Sequence, residues 1–246
     1  DRSEVDGLPK SALQLAAQAA RLSGEPIATT ESGPWHITLD HPSFGPFMQH
    51  SRRRELRERL YRAYIARASS GDFDNTPLIT QILKLRQEMA RLLEYPNYAD
   101  LSLSTKMASG VQAVATLHEK LRVASFDRAH REFQELKEFS RTHAELQSET
   151  STETMELQHW DVSFWAERLR EDRYDFSEEE LRPYFPLPRV LEGLFALAER
   201  LFGVRICSAD GEVPVWHEDV RFFRVTGEDE IPLAAFYLDP YSRPQE

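Results

Sequence analysis

The stretch TPLITQILKLRQEMARLLEYP, residues 76–96, indicates the fold class of this chain. Thr76 is a typical helix-capping residue, and Pro77 then stands at the first helical position, which suits proline because the amide there has no helical partner. Apolar residues follow at spacings of three and four, a pattern that predicts a helix with one buried face. That face consists of Leu78, Ile82, Leu85, Met89 and Leu92.

Helical patterns extend over most of the remaining chain. We predict helices at residues 8–22, from about 44, and at 52–69, 97–106, 109–124, 126–146, 159–170 and 188–202. Residues 34–40 alternate between apolar and polar types, which predicts a short strand with Trp35, Ile37 and Leu39 on one side. Strands are also predicted at residues 203–208, 219–226 and 232–239, the last two as a hairpin. The predicted class is therefore mainly α, with a small antiparallel β element near the C-terminus.

One polar stretch suggests how the chain is divided. Residues 148–154 are Ser, Glu and Thr without apolar periodicity, which is typical of a linker. We therefore predict a helical domain at residues 1–150, with one short β segment, and a second domain at residues 151–246 that passes from helices to a β hairpin.

Composition excludes several classes of partner. The net charge is −11, whereas nucleic acids and anionic membrane surfaces select basic patches, so we expect neither partner. The chain has one cysteine, Cys207, which rules out an internal disulfide and suits a reducing, intracellular compartment.

Two segments come close to a zinc-binding motif. The pattern H-E-x-x-H places two zinc-binding histidines one helical turn apart, with a glutamate general base between them. In the segments that begin at His118 and His217, the second histidine is replaced by Arg122 and Arg221. Since a protonated guanidinium has no lone pair to donate, we expect no catalytic residue and no metal ligand in residues 1–246.

Short motifs occur along the whole chain. They include Trp35-His36-Ile37-Thr38-Leu39-Asp40, Asp74-Asn75-Thr76-Pro77, Leu85-Arg86-Gln87-Glu88, Trp160-Asp161-Val162-Ser163-Phe164-Trp165, Leu181-Arg182-Pro183-Tyr184-Phe185-Pro186-Leu187, Val215-Trp216-His217-Glu218-Asp219-Val220-Arg221-Phe222 and Phe236-Tyr237-Leu238-Asp239. In type and order they resemble the thimet oligopeptidase and oligopeptidase A family of zinc metallopeptidases. The resemblance is closest to the organellar or cytosolic members from plants and algae.

The resemblance implies a two-lobed helical enzyme that hydrolyses short peptides with zinc and a glutamate-activated water. It implies that residues 1–246 are a middle fragment, the later part of the N-terminal lobe and the start of the catalytic half, without the zinc motif. Such a chain supplies scaffold and cleft wall, and we expect it to be inactive by itself. Its implied partners are short peptides and the missing catalytic half, in the cytosol, chloroplast or mitochondrion. The alternative is a non-catalytic helical module that binds peptides or acts as a scaffold.

The C-terminal strand is the predicted substrate-binding segment. The resemblance places its sheet beside the peptide cleft, and an edge strand binds an extended peptide through main-chain hydrogen bonds. The predicted site residues are Phe236, Tyr237, Asp239, Tyr241 and Arg243. For Arg243 two roles stay open, pairing with a peptide carboxylate or with an acid elsewhere in the protein. For the aromatic set Trp160, Phe164, Trp165, Tyr184 and Phe185, spacing favours core packing over a binding platform.

Overall fold

A computed structural model describes residues 1–143, 146, 156–175, 178–227 and 229–241. The chain forms two compact units, Asp1–Arg173 and Tyr174–Glu246. The predicted linker at 148–154 and the predicted domain boundary between residues 150 and 151 lie outside the described residues, so both stay predictions. Among the described residues, no helix combines the length and the apolar character that a membrane span needs.

The structure confirms a mainly α chain with one small antiparallel sheet. The helices are α1 Lys10–Leu22, α2 His41–His50, α3 Arg54–Ile65, α4 Thr76–Leu92, α5 Tyr98–Leu103, α6 Val111–Thr142, α7 His159–Tyr174, α8 Glu178–Leu181 and α9 Leu187–Phe202. The strands are β1 Arg205–Ser208, β2 Arg221–Thr226 and β3 Pro232–Leu238. Short 3₁₀ turns occur at Arg2–Val5, Gly71–Phe73 and Arg182–Tyr184.

The first unit has an apolar cluster that includes the N-terminal residues. Val5, Leu8, Leu13 and Phe47 are buried there, and Trp35, Ile37, Leu56 and Leu60 pack against them. The predicted strand at residues 34–40 is wrong, because no described strand pairs with this extended segment. Instead the His36 amide donates to the Ala16 carbonyl of α1. Trp35 and Ile37 nevertheless share one side, as the alternation predicted.

A second cluster joins the end of α6 to α7. Leu136 and Phe139 are buried against Phe164 and Trp165, whose rings meet edge to face at 5.1 Å. Core packing is thus confirmed for these two aromatic residues and for Trp160. It is wrong for Tyr184 and Phe185, which are exposed beside the short 3₁₀ turn that precedes α9.

Buried charges connect α3 to α7. The Asp161 carboxylate accepts hydrogen bonds from both Arg54 and Arg57, at 2.8 to 3.1 Å, and also from the Gln158 amide at the start of α7. Arg57 is fully buried, and it also donates to the carbonyls of Ser51 and Trp160. Burial lowers the pKa of Arg57, and the Asp161 carboxylate opposes this effect by compensating the buried positive charge.

Helix α6 corrects the prediction of two helices, at residues 109–124 and 126–146. It is continuous over 32 residues. Ser125, the expected break, donates its hydroxyl to the Leu121 carbonyl one turn earlier, so the helix accommodates the polar side chain without interruption.

Helix α4 forms where it was predicted, but it ends at Leu92, before Pro96, and it lacks the predicted burial. Leu78, Ile82, Leu85, Met89 and Leu92 are all exposed, with exposed fractions between 43% and 83%. Thr76 is the first helical residue rather than the cap, and its amide donates to the Asp74 side chain at 2.9 Å. The apolar period predicted the helix correctly, but no described element covers its apolar face.

The second unit contains α9 and the sheet, in the antiparallel order β1-β2-β3. The predicted hairpin of the last two strands is confirmed. Helix α9 ends at Gly203, which adopts the left-handed conformation with φ 64° that a glycine tolerates at a helix end. Phe195 of α9 contacts the rings of Phe223 and Phe236, so the helix lies against one face of the sheet.

Candidate functional site

Strand β3 is an edge strand in the part of the chain that the structure describes. It pairs with β2 on one side, and no described strand pairs with its other side. Its sequence PLAAFYL carries no charged residue. Natural edges usually carry charges or prolines that discourage pairing, and here only Pro232 at the start does so. The backbone of β3 therefore offers unpaired amides and carbonyls to another extended chain.

The predicted site residues lie on both faces of this strand. Phe236 lies on the face covered by α9, where its ring stacks on Phe223 at 5.3 Å. Phe236 therefore packs within the unit, which accounts for its position better than contact with a ligand does. Tyr237 lies on the opposite face, with its ring 5.0 Å from that of Phe222. The structure therefore does not bring these two neighbours together in one surface.

The face that carries Tyr237 also contains Trp216 and Asp239. The rings of Trp216 and Tyr237 lie 5.2 Å apart, and the Trp216 indole donates to the Asp239 carboxylate at 2.9 Å. Both rings remain accessible, with 60% of Trp216 and 43% of Tyr237 exposed. Asp239 thus fixes the orientation of an exposed aromatic pair. Sequence reasoning missed Trp216 in this role because 23 residues separate it from Asp239.

Tyr241 follows two residues after Asp239 and is exposed. Arg243 lies outside the described residues, so both of its predicted roles stay open.

Asp210 fastens the connection between β1 and β2. Its carboxylate accepts hydrogen bonds from the Phe222 amide at 2.6 Å, from the Ser208 hydroxyl at 2.8 Å and from Arg221 at 3.3 Å. The backbone hydrogen bond from Phe222 is the main reason that the pKa of Asp210 is lowered, since it favours the ionised form. The ionised carboxylate therefore holds β2, and with it the aromatic face.

The structure gives neither near-miss motif the geometry of a zinc site. Glu119, in α6, forms a two-pronged ion pair with Arg122 at 2.7 and 2.8 Å, which engages the carboxylate that a general base would need. His217 lies in a turn, where its Nδ1 accepts a hydrogen bond from the Asp219 amide at 3.2 Å. A pair of histidines one helical turn apart is therefore not formed at either place.

One cluster among the described residues brings together atoms of metal-binding type. His50, Glu167 and Glu171 each place one such atom within 4.8 Å of the others. However, Arg168 donates to His50 at 3.1 Å and pairs with Glu171 at 3.0 Å, while Arg170 pairs with Glu167 at 2.6 Å. Burial raises the pKa of Glu171 and lowers the pKa of Arg168. The guanidinium groups already supply the positive charge here, so the arrangement fits an ion-pair network.

Comparison with protein-family models identifies the family of this chain. The model described as peptidase family M3 matches residues 47–245. The chain belongs to peptidase family M3. The match spans all three strands and most of the helices, and it confirms the resemblance drawn from the motifs.

Curated proteins of similar sequence include oligopeptidases from plants and bacteria. The chain is 56% identical to "Organellar oligopeptidase A, chloroplastic/mitochondrial" of Arabidopsis thaliana, over all of this chain and 30% of that protein. It is 54% identical to "Probable cytosolic oligopeptidase A" of the same plant, over all of this chain and 34% of that protein. "Oligopeptidase A" of Haemophilus influenzae is 39% identical over 99% of this chain and 34% of the bacterial protein. The chain thus spans about a third of the length of these M3 relatives.

Proposed function

We propose that this chain is part of an M3 oligopeptidase that hydrolyses short peptides, and that it supplies scaffold and cleft wall. The family match over residues 47–245 carries the proposal. Relatives named as oligopeptidases align with the whole chain, although the chain covers only 30% to 34% of their lengths. We therefore assign hydrolysis to a longer polypeptide and expect residues 1–246 alone to be inactive. The proposed partner within that polypeptide is its catalytic half.

Zinc is the cofactor that this proposal requires. In the longer polypeptide, zinc would supply Lewis-acid chemistry and a glutamate would serve as the general base. The described residues do not fit the metal, because their histidines form no pair one turn apart and the His50 cluster already contains Arg168. We therefore place the zinc ligands and the general base outside residues 1–246.

We further propose that the peptide lies along β3. The open edge offers main-chain hydrogen bonds, which bind extended peptides without reading their sequence. In this proposal, the exposed aromatic pair on the sheet face and Tyr241 just beyond the strand contact side chains of the bound peptide; their exposure supports this role. Asp239 contributes by orienting Trp216, and Phe236 by supporting the strand from the other face. Arg243 is retained in the proposed site.

The proposed compartment also rests on the named relatives. The two plant relatives are named as chloroplastic/mitochondrial and as cytosolic, and the single Cys207 suits a reducing environment. We propose the cytosol, chloroplast or mitochondrion as the location.

A comparison of two polypeptides tests the proposal. We expect residues 1–246 to leave a quenched fluorescent peptide intact, and a polypeptide of the relatives' full length to cleave it in a chelator-sensitive manner. In the long form, Tyr237→Ala is expected to raise KM with little change in Tm. The control, Tyr184→Ala, removes a more exposed tyrosine ring that lies outside the sheet. Peptide binding without cleavage by the long form would favour the non-catalytic module.

A further inference from the structure

Helix α9 carries a second apolar face that the sheet does not cover. Phe195 contacts the sheet, and Leu191 and Ala198, about one turn to either side, are half-buried. A different row of apolar residues is exposed, with exposed fractions from 38% to 63%. We call this row the α9 seam; it consists of Leu187, Val190, Leu194, Leu197 and Leu201.

The spacing of the α9 seam is typical of helix-to-helix packing. Its residues follow one another at three, four, three and four positions, which is the heptad pattern that brings a second helix alongside. Exposed rows of this kind on a soluble protein mark surfaces that another element covers. The repeat of 3.5 residues matches that of a second helix packed alongside α9.

Gly193 is an independent sign of a close neighbour. It lies in the middle of α9, where glycine is less favourable than alanine because it loses more conformational freedom on folding. A Cβ added at this position would meet no atom within 4 Å, so no contact within the described chain requires the glycine. A glycine beside an apolar row allows the backbone of a partner helix to approach closely.

Two arginines indicate the charge of the partner. Arg189 and Arg200 lie four residues before and seven residues after Gly193, on the same flank of the α9 seam, and both are exposed. Among the described residues, neither side chain forms an ion pair or a hydrogen bond. Because flanking charges select complementary charges on the facing helix, the partner should carry carboxylates on this side.

We propose that the α9 seam docks an apolar helix with an acidic flank, supplied by the same polypeptide outside residues 1–246. The M3 relatives are about three times as long as this chain, so a polypeptide of their size has ample additional sequence. A second copy of α9 in antiparallel packing would place the same guanidinium groups against each other, which disfavours it. The inference rests on the proposal that the chain is part of a longer polypeptide, and does not require peptide hydrolysis.

Cysteine labelling tests this surface. In a Cys207→Ser background, Leu197→Cys places a thiol on the α9 seam, and Glu192→Cys places a matched thiol on the opposite, exposed side of α9. We expect a maleimide to label both thiols at similar rates in residues 1–246. In a polypeptide of the relatives' full length, the seam thiol should react at least about tenfold more slowly than in residues 1–246, as expected for a protected site. The labelling rate of the control thiol should be unchanged.

The alternative occupants give different results. Equal labelling of the seam thiol in both polypeptides would overturn the inference. Protection in residues 1–246 alone, together with a dimer by light scattering, would identify a second copy and also overturn it. Protection that requires an added short peptide would do the same in favour of substrate. Loss of peptidase activity without loss of protection would contradict the proposed function alone.

Glycine replacement provides a second measurement. In residues 1–246, Gly193→Met should leave Tm unchanged or raise it, because the position is open. In the long polypeptide the same change should lower Tm by displacing the docked helix, whereas Glu192→Met on the far side should not. Equal effects of Gly193→Met in the two polypeptides would contradict a close neighbour at this position.

Discussion

Asp161 shows how a single residue determines packing in the first unit. It is almost fully buried, yet its carboxylate is surrounded by donors from Arg54, Arg57 and the start of α7. A buried ion pair contributes little net stability when intact, because desolvation offsets the attraction between the charges. Loss of one partner is much more damaging, since the remaining charge is then buried alone. The arrangement therefore makes the contact between α3 and α7 specific.

We expect Asp161→Ala to lower the free energy of unfolding of the first unit by about 3–5 kcal/mol, because Arg57 is left without its carboxylate. Denaturant melts followed by tryptophan fluorescence measure this loss. The control is Glu119→Ala, which removes an exposed ion pair with Arg122 and should change the midpoint very little. Similar losses in the two variants would show that Asp161 is not a critical partner.

Asp210 makes stability depend on pH. Its pKa in the folded chain is lowered, so its contribution is fully present above the ordinary value of about 3.9 and is lost as the pH falls below that value. We expect the Tm of Asp210→Asn to fall less steeply than that of the unchanged chain between about pH 5 and pH 3. Asp172→Asn, at an exposed residue whose side chain has no hydrogen bond among the described residues, should keep the original slope.

Some of these residues could be found from the sequence and others could not. The Trp160–Trp165 segment predicted core packing, because its aromatic rings recur at helical spacing. The partners of Asp161 could not be predicted, since more than 100 residues separate it from Arg54 and Arg57. The hydrogen bond between Trp216 and Asp239 is hidden for the same reason.

At the scale of elements, α4 shows that an apolar repeat can form a helix without burying its apolar face. Since Leu85 is more than half exposed, Leu85→Ala should lower the free energy of unfolding of residues 1–246 by less than about 1 kcal/mol. Phe164→Ala, in the fully buried cluster of α7, should cost about 3–5 kcal/mol in the same melt. A large loss from Leu85→Ala would show that another surface covers α4 in solution.

The same contrast explains which elements the sequence predicts well. Period and end signals placed α4, α9 and the hairpin correctly, because each depends on local chemistry such as Pro77 and Gly203. The segment at residues 34–40 has strand-like alternation, but a strand requires a neighbour that local sequence does not supply. Burial of a helical face likewise depends on what the rest of the polypeptide brings to it.

At the scale of the whole chain, exposed apolar residues should dominate behaviour in solution. The α4 face, the α9 seam and β3 each leave apolar surface accessible. We expect residues 1–246 to associate with increasing concentration in light scattering, despite the net charge of −11. Leu85→Glu on α4 should reduce association, and a polypeptide of the relatives' length should remain monodisperse. A strictly monomeric short chain at high concentration would contradict this expectation.

The length of α6 has a mechanical consequence. At 1.5 Å per residue, its 32 residues form a rod about 48 Å long, and its buried side chains, Leu136 and Phe139, both lie in the last two turns. Packing therefore holds α6 mainly near its C-terminal end. A small change in the angle of the helix there gives a larger shift at residues farther along it, toward Val111. We therefore expect a slight repacking around Phe164 and Trp165 to be transmitted along α6 toward α5, which contacts this helix.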